Sequence, residues 1–142
     1  MHGINILLVE DNEGDILLTK EAFEEADVPV TLNVVRNGEL AIQFLQKREK
    51  FNEVPTPDLI LLDINLPKVN GLEVLKYVKD NDRYRHIPVV MLTTSSSEKD
   101  IIESYKNHVN CYITKPIDIN EFWETIAAIK NFWLKTTKLP SK

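Results

Sequence analysis

The acid pair Glu10-Asp11, the lone Asp63, the hydroxyl of Thr93 and the ammonium of Lys115 are spread along the chain, yet each falls at the end of a short apolar run. Brought onto one rim, three carboxylates would repel and raise one another's pKa unless something neutralised them. A hard cation does that. Mg2+ in particular prefers one or two carboxylates plus waters and phosphate oxygens to an all-protein cage. Asp63 follows Leu59-Ile60-Leu61-Leu62, an apolar run that reads as a strand buried on both faces. A buried strand would deliver this carboxylate, rigidly held, to a metal and a phosphoryl group.

The elements that must do this positioning alternate regularly. Strand patterns cover Ile4–Val9, Val30–Val35, Leu59–Leu62, Val89–Leu92 and Cys111–Thr114, and helical patterns cover Gly14–Ala26, Glu39–Lys47, Leu72–Lys79, Glu98–Lys106 and Asp118–Trp133. Strand then helix, five times over, predicts an α/β three-layer sandwich around a parallel sheet. Only the second strand alternates polar with apolar, which suits a sheet edge, and the order 2-1-3-4-5 follows. Asn37-Gly38 and Asn70-Gly71 punctuate the starts of helices two and three, and Ser97 with Asp100 forms a possible capping box for helix four. In such a sheet, chemistry collects outside the carboxyl ends of the strands, near the point where strand order reverses. Those ends are where the reactive residues fall.

With these residues in this order, the chain resembles the receiver domains of two-component response regulators, the CheY-like fold. The resemblance spans nearly the whole length: Glu10-Asp11 after strand one, Asp63 with Pro67 and Gly71 in a D-x-x-x-P-x-x-x-G pattern, Thr93, Tyr112, and Lys115-Pro116. It implies the flavodoxin-like (βα)5 fold and a signalling switch. Asp63 would accept a phosphoryl group from a sensor histidine kinase, and Mg2+ would be held by Asp11, by Glu10 through water, by Asp63 and by the Asn65 carbonyl. Lys115 would be the second cation, Thr93 would donate to a phosphoryl oxygen, and Tyr112 would swing inward. It also implies a cis Lys115–Pro116 bond, and roles for Asn65 and Ser95 in setting the lifetime of the acyl phosphate. The chain would promote its own phosphotransfer and dephosphorylation while being no enzyme toward other substrates. The stretches HVNCYITKP (108–116) and FWLKTTKLP (132–140) resemble the stand-alone regulators paired with bacterial phytochromes.

Each residue also has a plainer structural explanation. Asp63 alone would be a turn carboxylate, and Glu10-Asp11-Asn12 would be a helix N-terminus with its cap. Thr93 would be a β-favouring residue, Tyr112 a half-buried strand aromatic, Lys115 a solvated lysine before a trans turn proline. His2, His86 and His108 show no ligand spacing, and His108, near Asn107 and Asn110, suits a left-handed turn after helix four. Cys111 reads as a buried strand residue.

Composition narrows the class. A chain of 142 residues, 43% hydrophobic, suits one domain over 1–142, with a short tail at 135–142 and no output domain. A net charge of −5, without a long basic run, argues against direct nucleic-acid binding. One cysteine precludes an internal disulfide, the first apolar run is too short for a signal peptide, and no stretch would span a membrane, so a cytoplasmic location is expected.

Output must then run through protein surfaces. On helix five, Phe122, Ile126, Ile129 and Trp133 form a core stripe, and Trp123, Ala127 and Leu134 flank it as a candidate homodimer margin through helix four, strand five and helix five. By family analogy the kinase docks near Asp15 and Leu18 and at Pro116-Ile117. Two rivals fit less well. A haloacid-dehalogenase phosphatase needs an acid where Asn65 stands, and a flavin-binding flavodoxin would meet repulsion from Glu10-Asp11-Asn12-Glu13.

Overall fold

A computed structural model describes residues 3–140, so His2 lies outside the described residues. The order along the chain is β1 (Ile4–Val9), α1 (Glu13–Glu24), β2 (Val30–Val35), α2 (Gly38–Gln46), β3 (Leu59–Leu62), α3 (Gly71–Asp80), β4 (Val89–Thr93), α4 (Glu98–Lys106), β5 (Cys111–Thr114) and α5 (Ile119–Asn131). All strand pairs are parallel, in the order β2-β1-β3-β4-β5. The expected α/β sandwich is the fold found.

Period-two alternation sorts the buried strands between two cores. Ile6, Leu8, Leu59, Leu61, Val90 and Leu92 face Ile16, Phe23, Phe122, Ile126 and Ile129 of α1 and α5. Leu7, Val9, Ile60, Leu62, Val89 and Met91 face Ala41, Phe44, Val74, Leu75 and Val78 of α2 and α3. Each such fully buried aliphatic side chain contributes roughly 1.5–3 kcal/mol of transfer free energy. β2 buries only Val35 completely, as an edge strand should.

Polar caps set the helix starts. Asn12, Asn37, Asn70, Ser97 and Asp118 each accept a backbone N–H from the first turn of α1 to α5 in turn. The capping box expected at Ser97 and Asp100 is half made: Ser97 Oγ accepts from Asp100 N at 3.3 Å, but the Asp100 carboxylate takes the Ser95 hydroxyl instead, at 2.6 Å. The reciprocal box belongs to Asn70 and Glu73 on α3. Gly71 is required by close approach, because a Cβ there would lie 2.0 Å from the Asp63 carbonyl oxygen. His108 has φ 67°, the left-handed turn expected after α4.

Most helix boundaries and the end of β4 shift by one or two residues from the sequence pattern, and three features stand out. α1 runs from Glu13 to Glu24, because the Asn12 cap starts it one residue earlier than expected. A 3-10 turn at Glu49–Phe51, too short for a periodic signal, follows α2. α5 gives way after Asn131 to a π turn, Phe132–Thr136, in which Thr137 N donates to Phe132 O at 2.9 Å. That turn lays Trp133 and Leu134 against the α1/α5 core, where Trp123 also packs. The apolar margin expected for a dimer is thus partly consumed by the chain's own core. Among the described residues, no helix is long and apolar enough to cross a membrane.

Candidate functional site

The parallel register brings the reactive residues together. Val9 pairs with Leu62, so Glu10 and Asp63 leave adjacent strands side by side, with Asp63 N donating to Val9 O at 3.1 Å. Thr93 pairs with Thr114, and Lys115 N donates to Thr93 O at 2.7 Å. Alternation carries past the strand ends. Glu10, Asp63 and Lys115 share the parity of the α1/α5 face, whereas Thr93 and Tyr112 share that of the other face.

Asp63 is 6% exposed and Glu10 3% exposed, and Lys115 is buried beside them. Lys115 Nζ donates to Glu10 Oε1 at 2.6 Å, Asp15 Oδ2 at 2.9 Å and Asp63 Oδ2 at 3.2 Å. The remaining oxygens find backbone donors: Glu10 Oε2 accepts from Asn12 N at 3.1 Å, and Asp63 Oδ1 from Asn65 N at 3.2 Å. Burial pushes Glu10 up to about 7, with the Asp63 charge adding to the rise and Lys115 opposing it. Burial works against the Lys115 ammonium too, but its bonds to Glu10 and Asp15 and the charges of Glu10 and Asp63 hold its pKa above the ordinary value.

Glu10, Asp11 and Asp63 each offer a carboxylate oxygen within 4.8 Å of the others. Asp11 is exposed and has no hydrogen bond or ion pair among the described residues, so its oxygens face a groove of about 510 Å³ shared with Asn65, Asn70 and Asp100. An all-oxygen donor set with one buried cation and an open side suits a hard divalent ion that keeps part of its water.

Thr93 is fully buried, and its Oγ1 accepts from Ser95 N at 3.3 Å. The Tyr112 hydroxyl donates to Ser95 O at 2.9 Å, so the tyrosine is tied to the β4–α4 loop two residues past Thr93. Asn65 is exposed, and its amide donates to Thr94 Oγ1 at 3.4 Å. No acid stands there for a phosphatase of the dehalogenase type.

One expectation is corrected. The Lys115–Pro116 bond is trans, since the described residues contain no cis peptide bond; the lysine is aimed by its three carboxylate partners. Leu18 packs against the α1/α5 core, and Leu17, 57% exposed, is the residue that faces outward, because α1 is set by its Asn12 cap. Cys111 is half-buried on β5, its thiol pushed up by burial. His86 and His108 are both exposed. Asp15 was missed as part of the site. The available signal was an acid in the first turn of the helix that follows Glu10-Asp11.

Comparison with known proteins agrees with this geometry. The response regulator receiver domain family matches residues 6–127. The chain belongs to that family. This receiver domain of a two-component response regulator is 44% identical over 136 residues to response regulator Rcp1 of Synechocystis sp., covering 96% of this chain and 92% of that one. Among solved structures, it superposes with TM-score 0.96 on the phosphorylated cyanobacterial phytochrome response regulator RcpA, at 44% identity, covering 99% of this chain and all of that one. The Mn2+-bound form of Rcp1 gives TM-score 0.95 at 43% identity, covering 97% of this chain and 99% of that one. Family membership makes the receiver domain a phosphoacceptor switch that binds a divalent metal.

Proposed function

We propose that Asp63 is the phosphoacceptor, that its donor is a phosphohistidine on a sensor kinase of the phytochrome class, and that the ion at Glu10, Asp11, Asp63 and the Asn65 carbonyl is Mg2+. The observation that carries this reading is the placement of Asp63: a nearly buried carboxylate 3.2 Å from Lys115 and within 4.8 Å of both other acids. The likeness to Rcp1 and to the phytochrome regulator RcpA supports the choice of kinase class.

An Asp63 oxygen attacks phosphorus, the new P–O bond forms as the P–N bond breaks, and the imidazole nitrogen leaves with the bonding pair and takes a proton from solvent. Such a transfer needs positioning and charge neutralisation more than acid–base work. Lys115 neutralises phosphoryl charge from the α1 side. Thr93, whose oxygen already accepts from Ser95 N, keeps its own O–H to donate to a phosphoryl oxygen. A bound Mg2+ supplies the second positive charge. Movement of Thr93 is transmitted to Ser95 and so to Tyr112, giving two loop packings that the phosphate biases. Asn65 and Ser95, which flank the site, govern water access and so the rate at which the domain removes its own phosphate.

The domain acts in the cytoplasm through protein partners. A second copy on the α4–β5–α5 face is supported by the exposed Ile102 and Tyr105 on α4, with Trp123, Ala127 and Leu134 at its margin. Sedimentation across a dilution series tests it, and a monomer with and without phosphate would remove it. Phosphotransfer is tested by incubating wild type and Asp63→Asn with acetyl phosphate, with Mg2+ and with chelator, and reading intact mass. An adduct that needs both Asp63 and Mg2+ is expected; one that persists in Asp63→Asn sinks the assignment.

A further inference from the structure

An ammonium has three N–H donors and no acceptor, and in Lys115 all three are committed, to Glu10, Asp15 and Asp63. A phosphoryl group arriving on Asp63 needs at least one of them, so a carboxylate must give way. Glu10 is poorly suited to yield, because its side chain is 4% exposed and water could not replace the lost bond. Asp63 carries the phosphoryl group itself. Asp15 differs from both. Its side chain is 26% exposed, so solvent can replace the lost bond, and it has no other partner among the described residues. It would also face the phosphoryl dianion across a single ammonium, and that repulsion favours its release.

Resting on the assignment of Asp63 as phosphoacceptor, we infer that Asp15 is a positioning residue: it holds Lys115 in the resting site and yields it when the phosphoryl group arrives. Asp15 touches none of the reacting atoms. Its first-turn backbone N–H is bonded to the Asn12 cap and its carbonyl accepts the Thr19 hydroxyl at 2.7 Å, so the backbone of Asp15 is fixed while the carboxylate is exchangeable. Removing its charge lowers the cost of the exchange without altering the Asp63 nucleophile.

The test uses the full chain with saturating Mg2+ and a range of acetyl phosphate concentrations, comparing wild type, Asp15→Asn, Asp15→Glu and Asp63→Asn by intact mass. Acetyl phosphate bypasses any effect of α1 on kinase docking. In the reaction, the Asp63–phosphorus bond forms as the bond from phosphorus to the acetyl oxygen breaks, and acetate leaves with the electron pair. Asp15→Asn is expected to raise the maximal rate of uptake roughly 2- to 10-fold, the scale of one partly solvated charge-assisted bond, with the half-saturating acetyl phosphate concentration unchanged. Asp15→Glu should return the rate to within about twofold of wild type. A maximal rate in Asp15→Asn equal to or below wild type overturns the inference, because Lys115 would then hand over only its bond to Asp63. No adduct on wild type, or an adduct on Asp63→Asn, overturns the phosphoacceptor assignment and with it the role of Asp15.

Discussion

Lys115 Nζ stands 3.2 Å from Asp63 Oδ2 across 52 residues of sequence, both side chains nearly shut off from water. A lone buried ammonium or carboxylate would be costly there, and the two are tolerated because each offsets the other. Lys115 therefore supports the metal-free fold as well as the proposed phosphoryl transfer. Lys115→Met should lower metal-free stability by about 2–4 kcal/mol, since Glu10 and Asp63 lose their buried counter-ion. It should also tighten divalent binding, because the competing cation is gone. Urea unfolding in chelator and in Mg2+ checks both: the loss should be large in chelator and smaller with the ion present.

At the proposed ion site, Glu10 should make binding depend on pH. Burial raises its pKa from an ordinary 4.5 to about 7 in the metal-free protein. A raised carboxylate pKa means that the folded state holds a proton that the unfolded state has lost, so between pH 4.5 and 7 Glu10 withdraws stability as pH rises. An ion must displace that proton. Mg2+ affinity should fall about tenfold from pH 8 to pH 6, with up to one proton released per ion. Titration calorimetry in buffers of different ionisation enthalpy measures both, and Glu10→Gln should flatten the dependence.

Gly71 connects the turn geometry to Asp63, the proposed phosphoacceptor. A Cβ at this position would stand 2.0 Å from the Asp63 carbonyl oxygen and 2.7 Å from the Ile64 Cα. Neither backbone atom can move without shifting Asp63. Gly71→Ala should cost about 2–4 kcal/mol by overpacking and slow phosphoryl uptake as well. Thermal unfolding and the intact-mass assay would report the two effects, and a fully active, fully stable variant would contradict the packing.

Tyr112 holds the β4–α4 loop by one hydroxyl bond to the Ser95 carbonyl, 2.9 Å long. Tyr112→Phe removes it while keeping the ring against the core. Stability should drop by about 0.5–1.5 kcal/mol. Hydrogen exchange at Ser95 and Ser97, whose amides bond to Thr93 Oγ1 and Ser95 Oγ, should rise more than exchange in the core strands.

Much of this site could be read from the chain alone. Five apolar runs bounded the strands correctly apart from the one-residue extension of β4 to Thr93, because strand burial leaves a contiguous local signature. Four of the five strand ends then named a candidate site residue, and period-two alternation contains even the side of the sheet each one takes. Asn37-Gly38 and Asn70-Gly71 marked their helix starts because capping is also local.

Tertiary structure decided the rest. Asp15 joined Lys115 from 100 residues away, a distance that neither spacing nor propensity encodes. Which of Leu17 and Leu18 faces outward depended on the phase of α1, set by Asn12 and its packing. Asp100 served Ser95 in place of completing a cap, since the loop brought a better donor within 2.6 Å. Trp123 packs on its own core from within α5, and Leu134 does so because a π turn ended that helix. Local physical chemistry thus determined the elements and the chemical types at their ends. Competition among partners that only folding brings together determined which carboxylate holds the lysine and which apolar faces remain open.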